Sequence, residues 1–102
     1  MITCFVDYKL DPYKLDDFER YAKAWLPLIE KFGGTNHGFF LPSECSNDRA
    51  LALFSFPSFG AYERYRHETA VNKDCQAAFA IAEETRCIKH YDRSFFRPVL
   101  CA

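Results

Sequence analysis

Along residues 11–40 the apolar positions Leu15, Phe18, Ala22, Trp25, Leu26, Ile29 and Phe32 recur at steps of three and four, while Asp16, Asp17, Glu19, Arg20, Lys23 and Glu30 fall between them. Helical periodicity gathers the first set onto one stripe and turns the second toward solvent, so the pattern predicts a helix over residues 12–32. Asp11 and Pro12 fit its start, as an N-cap and a first-turn proline, and Gly33 and Gly34 fit its end, where the exit residue needs a positive φ. Pro27 lies inside the run and removes the amide that would bond the Lys23 carbonyl, so a kink near residues 23–26 is expected. A bent helix either wraps a curved sheet or, with Trp25 beside the freed carbonyl, forms the wall of a pocket.

Elsewhere the alternation has period two. In residues 2–9, Ile2, Cys4, Val6 and Tyr8 share one face and Thr3, Phe5, Asp7 and Lys9 the other. Residues 35–41 place His37, Phe39 and Leu41 opposite Asn36, Gly38 and Phe40, and the polar cluster 42–48 then turns the chain. The strand 49–56 is apolar almost throughout, with Leu51 and Leu53 on one side and Ala50, Ala52, Phe54 and Phe56 on the other, which calls for cover on both faces. Pro57 and Ser58 stop this strand and cap a helix carrying Phe59, Tyr62 and Tyr65. Asn72 or Asp74 caps a further helix whose stripe is Cys75, Ala78, Phe79, Ala82 and Arg86. A last strand, 88–97, alternates Ile88, His90, Asp92, Ser94 and Phe96 with Lys89, Tyr91, Arg93, Phe95 and Arg97.

The order β-α-β-β-α-α-β predicts an α+β ferredoxin-like sandwich: a four-stranded antiparallel sheet with the helices on one face, in a single domain spanning residues 1–102. The uncovered face carries Leu51 and Leu53, so a homodimer packed sheet to sheet is expected.

Composition narrows the function classes. A net charge of -1 from 13 basic and 14 acidic residues gives no basic surface for nucleic acid. No apolar run is long enough to cross a bilayer and no signal segment precedes the first strand, so a cytoplasmic protein with no membrane insertion is expected. The five cysteines are widely spaced without a C-x-x-C pair, which indicates neither a disulfide framework nor a zinc site. Cys4 and Cys87 are expected to be buried, Cys45 and Cys101 accessible.

Several of these residues also resemble a known family. Tyr8, Leu10, Pro12, Lys14 and Leu15 mark the first strand-to-helix junction, Leu26, Pro27, Lys31, Gly33 and Gly34 the helix end, Gly38 and Phe39 the next strand, and Arg97 and Pro98 the end of the chain. In this order and spacing they resemble NIPSNAP, within the dimeric α+β barrel group. The resemblance implies a ferredoxin-like protomer and a sheet-to-sheet dimer, the dimeric α/β barrel, and implies little about chemistry. Relatives of similar fold include cofactor-independent monooxygenases and haem-binding enzymes, whose ligands sit between helices and sheet. The chain departs from the family at Val6, where an arginine is often found, and at Tyr13, where a glycine often follows the proline, so no anion-binding role is carried over.

The residues with chemistry to offer are few. His37 and His90 lie on strands among aromatics, where a histidine serves as a general base, as a metal or haem ligand, or as a hydrogen-bonded structural residue. Tyr8, Trp25, His37, Phe39 and Phe54 are candidate walls of a ligand site, and core packing accounts for the same aromatics. No spacing of histidines or carboxylates suggests a metal, and no cofactor motif occurs. The expectation is a small dimeric protein that binds an apolar or aromatic molecule in a cleft between helices and sheet. The alternatives are a structural or interaction module without catalysis and a cofactor-independent monooxygenase acting on a planar phenol.

Overall fold

The described residues form seven elements in the predicted order: β1 (Ile2–Leu10), α1 (Leu15–Lys31), β2 (Thr35–Phe40), β3 (Arg49–Phe56), α2 (Phe59–Val71), α3 (Lys73–Thr85) and β4 (Ile88–Phe96). The computed structural model describes residues 1–99, so Cys101, expected to be an accessible thiol, lies outside the described residues. All strand pairs are antiparallel and the sheet order is β2-β3-β1-β4. The helices cover the face that carries Cys4, Val6, Tyr8, Ala50, Ala52, Phe54 and Phe56, all buried.

The ends of α1 correct the sequence reading in detail. The Asp11 carboxylate accepts from the Tyr13 amide at 3.0 Å, which closes a local turn two residues long, so the helix begins at Leu15 and not at Pro12. Lys14 Nζ donates to the Thr85 carbonyl at 2.6 Å and ties the start of α1 to the end of α3. The helix runs without interruption through Pro27, and Pro27 and Lys23 are both exposed, so the carbonyl left without a donor is within reach of water. The buried stripe is Phe18, Tyr21, Ala22, Trp25, Leu28 and Ile29, which displaces Leu26, expected inside, to the flank.

Gly33 ends α1 at φ 95, and Gly34 follows where only a residue without a side chain fits. A Cβ at Gly34 would stand 2.8 Å from Ile29 Cγ2, 2.9 Å from Phe56 Cζ and 3.1 Å from the Ile29 carbonyl oxygen. Because one of these atoms is backbone, Gly34→Ala is expected to destabilise the fold by about 1–3 kcal/mol, read as a lower urea midpoint at unchanged slope.

Two bulges reset which side chains face which way. Between Asn36 and Gly38, β2 advances two residues while β3 advances one. The Gly38 amide donates to Asn36 Oδ1 at 2.7 Å and Gly38 takes φ 122, a conformation suited to glycine. The slip separates His37 from Phe39, which the alternation had put on one face. Phe39 turns toward the helices, 6.5 Å from the Tyr8 ring, whereas His37 turns to the open face with its Nε2 2.7 Å from Ser55 Oγ. A second irregularity near Lys9 and Leu10 brings Ile88 opposite Leu10, on the helix side and away from His90 and Asp92.

The open face carries Phe5, Leu51, Leu53, Phe40 and Phe96 across all four strands, with Phe5 and Phe96 in edge contact at 6.2 Å. At one end it becomes charged: Arg49 donates twice to the Asp7 carboxylate, at 3.1 and 2.9 Å, and Lys9 pairs with Asp48 at 3.1 Å. The Thr3, Ser55 and His37 side chains form a short hydrogen-bonded chain on the same face, each step 2.7 Å.

Candidate functional site

The edge strand β4 and the helical layer do not close on each other. Tyr91 and Arg93 share the side of β4 that faces the helices, as their pairing with Tyr8 and Val6 requires, yet both are exposed. Helix α3 packs on α1 through Phe79, whose ring lies 4.9 Å from that of Trp25. Between α3 and β4 this leaves an open cleft of about 830 Å³, with Tyr8 and Tyr21 at its floor, Phe79 and Ala82 on one wall and Tyr91 and Arg93 on the other.

The sheet and caps position these groups. Asn72 both terminates α2 and caps α3, accepting from the Asp74 and Cys75 amides at 2.9 and 3.1 Å, and so sets the direction in which Phe79 and Ala82 project. At the other end of α3, Arg86 adopts φ 58, a left-handed conformation that a residue with a side chain seldom takes, and its side chain borders the cleft.

Beyond Tyr8 and Tyr21 the cleft leads to an inner space of about 50 Å³, room for a small polar group or for one or two waters. Tyr8, Trp25, Phe39 and Phe54, four of the residues singled out in the sequence, meet around it. His37, the fifth, lies across the sheet and reaches neither space. His90 stands at the rim of the outer cleft with its Nε2 3.3 Å from Asp92 Oδ1. The sequence reading did not count Tyr21, Phe79, Tyr91, Arg93 or Arg66 among the candidate site residues, although it placed Phe79 on the stripe of its helix and Tyr91 and Arg93 on a shared face of the last strand.

Burial governs the electrostatics here. It pushes the Tyr21 hydroxyl up to about 12 and holds the Tyr8 hydroxyl well above the ordinary tyrosine range, so both remain protonated donors at neutral pH. Burial also raises the Cys4 thiol to about 11, outweighing the opposing pull of Arg93 and Arg66, which both approach it. Arg93 stacks over the Tyr91 ring at 5.4 Å, and among the described residues no carboxylate pairs with it. Among the described residues the Trp25 indole Nε1 is buried without a hydrogen-bond partner; the Tyr21 hydroxyl lies beside it but lacks hydrogen-bond geometry. Directly across the ladder from Val6 stands Arg93, so a guanidinium reaches this part of the cleft from the neighbouring strand.

Among the described residues no group of three or more histidines, cysteines or carboxylates converges to hold a metal ion. Among the described residues no helix is long and apolar enough to cross a membrane.

Sheet order, helices on one face and a cleft between helical layer and edge strand define a ferredoxin-like α+β protein. The NIPSNAP family model matches residues 4–102, and the chain belongs to that family. No curated protein matches it. Among solved structures, a protein from Agrobacterium tumefaciens superposes with a TM-score of 0.84 at 11% identity, covering 97% of this chain and 94% of that one. An uncharacterised NIPSNAP domain protein from Burkholderia xenovorans gives 0.80 at 14% identity, covering 100% and 99%. A proposed antibiotic biosynthesis monooxygenase from Nitrosomonas europaea gives 0.76 at 7% identity, covering 98% and 100%. At these identities the likeness is one of fold.

Proposed function

We propose that this NIPSNAP protein is a cytoplasmic homodimer that binds a small apolar or aromatic molecule in the cleft between α3 and β4. The observation that carries the reading is the cleft itself. Its volume of about 830 Å³ lies in the range of small-molecule sites, and aromatic side chains from β1, α1, α3 and β4 converge on it. The dimer is supported by the open sheet face, where Phe5, Leu51, Leu53 and Phe40 leave an apolar surface with a charged margin. The cytoplasmic placement rests on cysteine usage: Cys4, Cys45, Cys75 and Cys87 are all free thiols.

Ala82 offers the test of the cleft, because it is a half-buried wall residue on the exposed end of α3 and a larger side chain there occupies the cleft without entering the core. Ala82→Phe is expected to abolish the binding of aromatic fragments seen by calorimetry with the wild-type protein, while circular dichroism and the melting temperature stay close to wild type. Fragment binding that survives in Ala82→Phe with unchanged affinity contradicts the assignment and leaves the interaction-module reading in its place. Turnover is a separate question raised by the Nitrosomonas relative's fold, and oxygen uptake with a panel of phenols decides it; no uptake above buffer removes the monooxygenase reading.

A further inference from the structure

The cleft is not uniformly apolar. Its inner end gathers hydrogen-bond donors, and the buried one, Trp25 Nε1, has no acceptor among the described residues. Trp25 is only 4% exposed and its Nε1 has no partner among the described residues, although a buried N–H without an acceptor is costly enough that native proteins rarely keep one. Arg66 and Arg93 line the same inner space. Arg66 bonds only the Tyr62 hydroxyl, at a long 3.5 Å, and neither guanidinium has a carboxylate partner among the described residues. The hydroxyls of Tyr8 and Tyr21, both neutral donors, stand between this inner space and the outer cleft. Glu83 is the acidic residue on the outer rim, and Arg86, Lys89 and Arg93 border the same cleft, so the charge around the opening is also net positive.

A neutral apolar ligand would leave the buried Trp25 Nε1 unsatisfied and offer the two exposed guanidinium groups nothing to bind. From their convergence we infer that the ligand is an aromatic carboxylate, its ring lying in the outer cleft between Phe79 and Tyr91 and its anionic oxygens directed inward to Trp25 Nε1 and the Arg93 guanidinium. The inference rests on the cleft being the binding site and adds the chemical class of the occupant. Arg93 forms a charge-assisted, planar contact with the acid, for which a guanidinium is better suited than an ammonium. Trp25 supplies a single neutral donor from a wall that the acid itself desolvates.

Trp25 is the only tryptophan, so the protein has one indole N–H resonance and that resonance reports on the subsite directly. Titration of ¹⁵N-labelled protein with trans-cinnamate, and in parallel with its neutral analogue cinnamyl alcohol, is expected to move the indole proton downfield with the acid and not with the alcohol. The acid should bind at least about tenfold more tightly, the advantage of a charge-assisted over a neutral contact. Arg93→Gln, a change at an exposed edge-strand position, should erase that advantage, so that acid and alcohol bind alike. Equal affinity for acid and alcohol with cleft amides perturbed by both would overturn the carboxylate subsite while the cleft reading stands. Absence of any perturbation in α3 and β4 with either compound would overturn both.

Discussion

Replacing Phe18 by alanine should lower the stability of this protein by about 3–5 kcal/mol, the largest loss expected from a single core truncation. Phe18 is 0% exposed and sits where α1 crosses the middle of the sheet, with ring-to-ring distances of 5.0 Å to Tyr8 and 6.2 Å to Phe39. It also touches Tyr21 at 5.7 Å, so its removal opens a cavity bounded by three rings that cannot collapse without breaking their mutual packing. A domain of this size has about 5–15 kcal/mol in total, so the variant should melt more than about 12 °C below wild type. Urea unfolding followed by circular dichroism measures it. A loss under about 1.5 kcal/mol would mean that α1 does not pack on the sheet through this ring.

The second large effect concerns the open face. Leu53 pairs with Phe5 on one side and Gly38 on the other, at the middle of the four strands, and is half-buried even in a single chain. In a sheet-to-sheet dimer it is enclosed, and Leu53→Glu then places an unpaired carboxylate in an apolar contact. Such a burial costs several kcal/mol, enough to weaken association by about two to three orders of magnitude. Sedimentation velocity at micromolar concentration should give a dimer for wild type and a folded monomer for the variant. A wild-type monomer at that concentration removes the dimer from the account.

Much of the architecture was legible because each element announced itself twice, by its periodicity and by its ends. The stripe of α1, the Ser58 and Asn72 caps and the faces of β1 and β3 all follow from residue types acting over one or two turns. What escaped was set by geometry that spans strands. The bulge at His37 depends on how β2 advances against β3, and nothing within residues 35–41 states that count, so His37 was grouped with Phe39 and found across the sheet. The helix start shifted for a related reason: Asp11 has one carboxylate and the Tyr13 amide took it.

The candidate site was legible only in part. Tyr8, Trp25, Phe39 and Phe54 do meet, because each projects from the helix-facing side of its element. The outer cleft did not show, because it exists where β4 extends past the cover of the helices. Tyr91 and Arg93 read in sequence like the exposed positions of an ordinary edge strand, and their importance comes from α3 standing away from them.

The central claim is that the space between α3 and β4 is where this protein meets a small molecule, and mapping amide chemical shifts on addition of trans-cinnamate tests it most directly. The account predicts perturbations clustered at Tyr8, Tyr21, Phe79, Ala82, Tyr91 and Arg93, with the open sheet face unaffected. Perturbations confined to Phe5, Leu51, Leu53 and Phe40, or scattered without a centre, would contradict it.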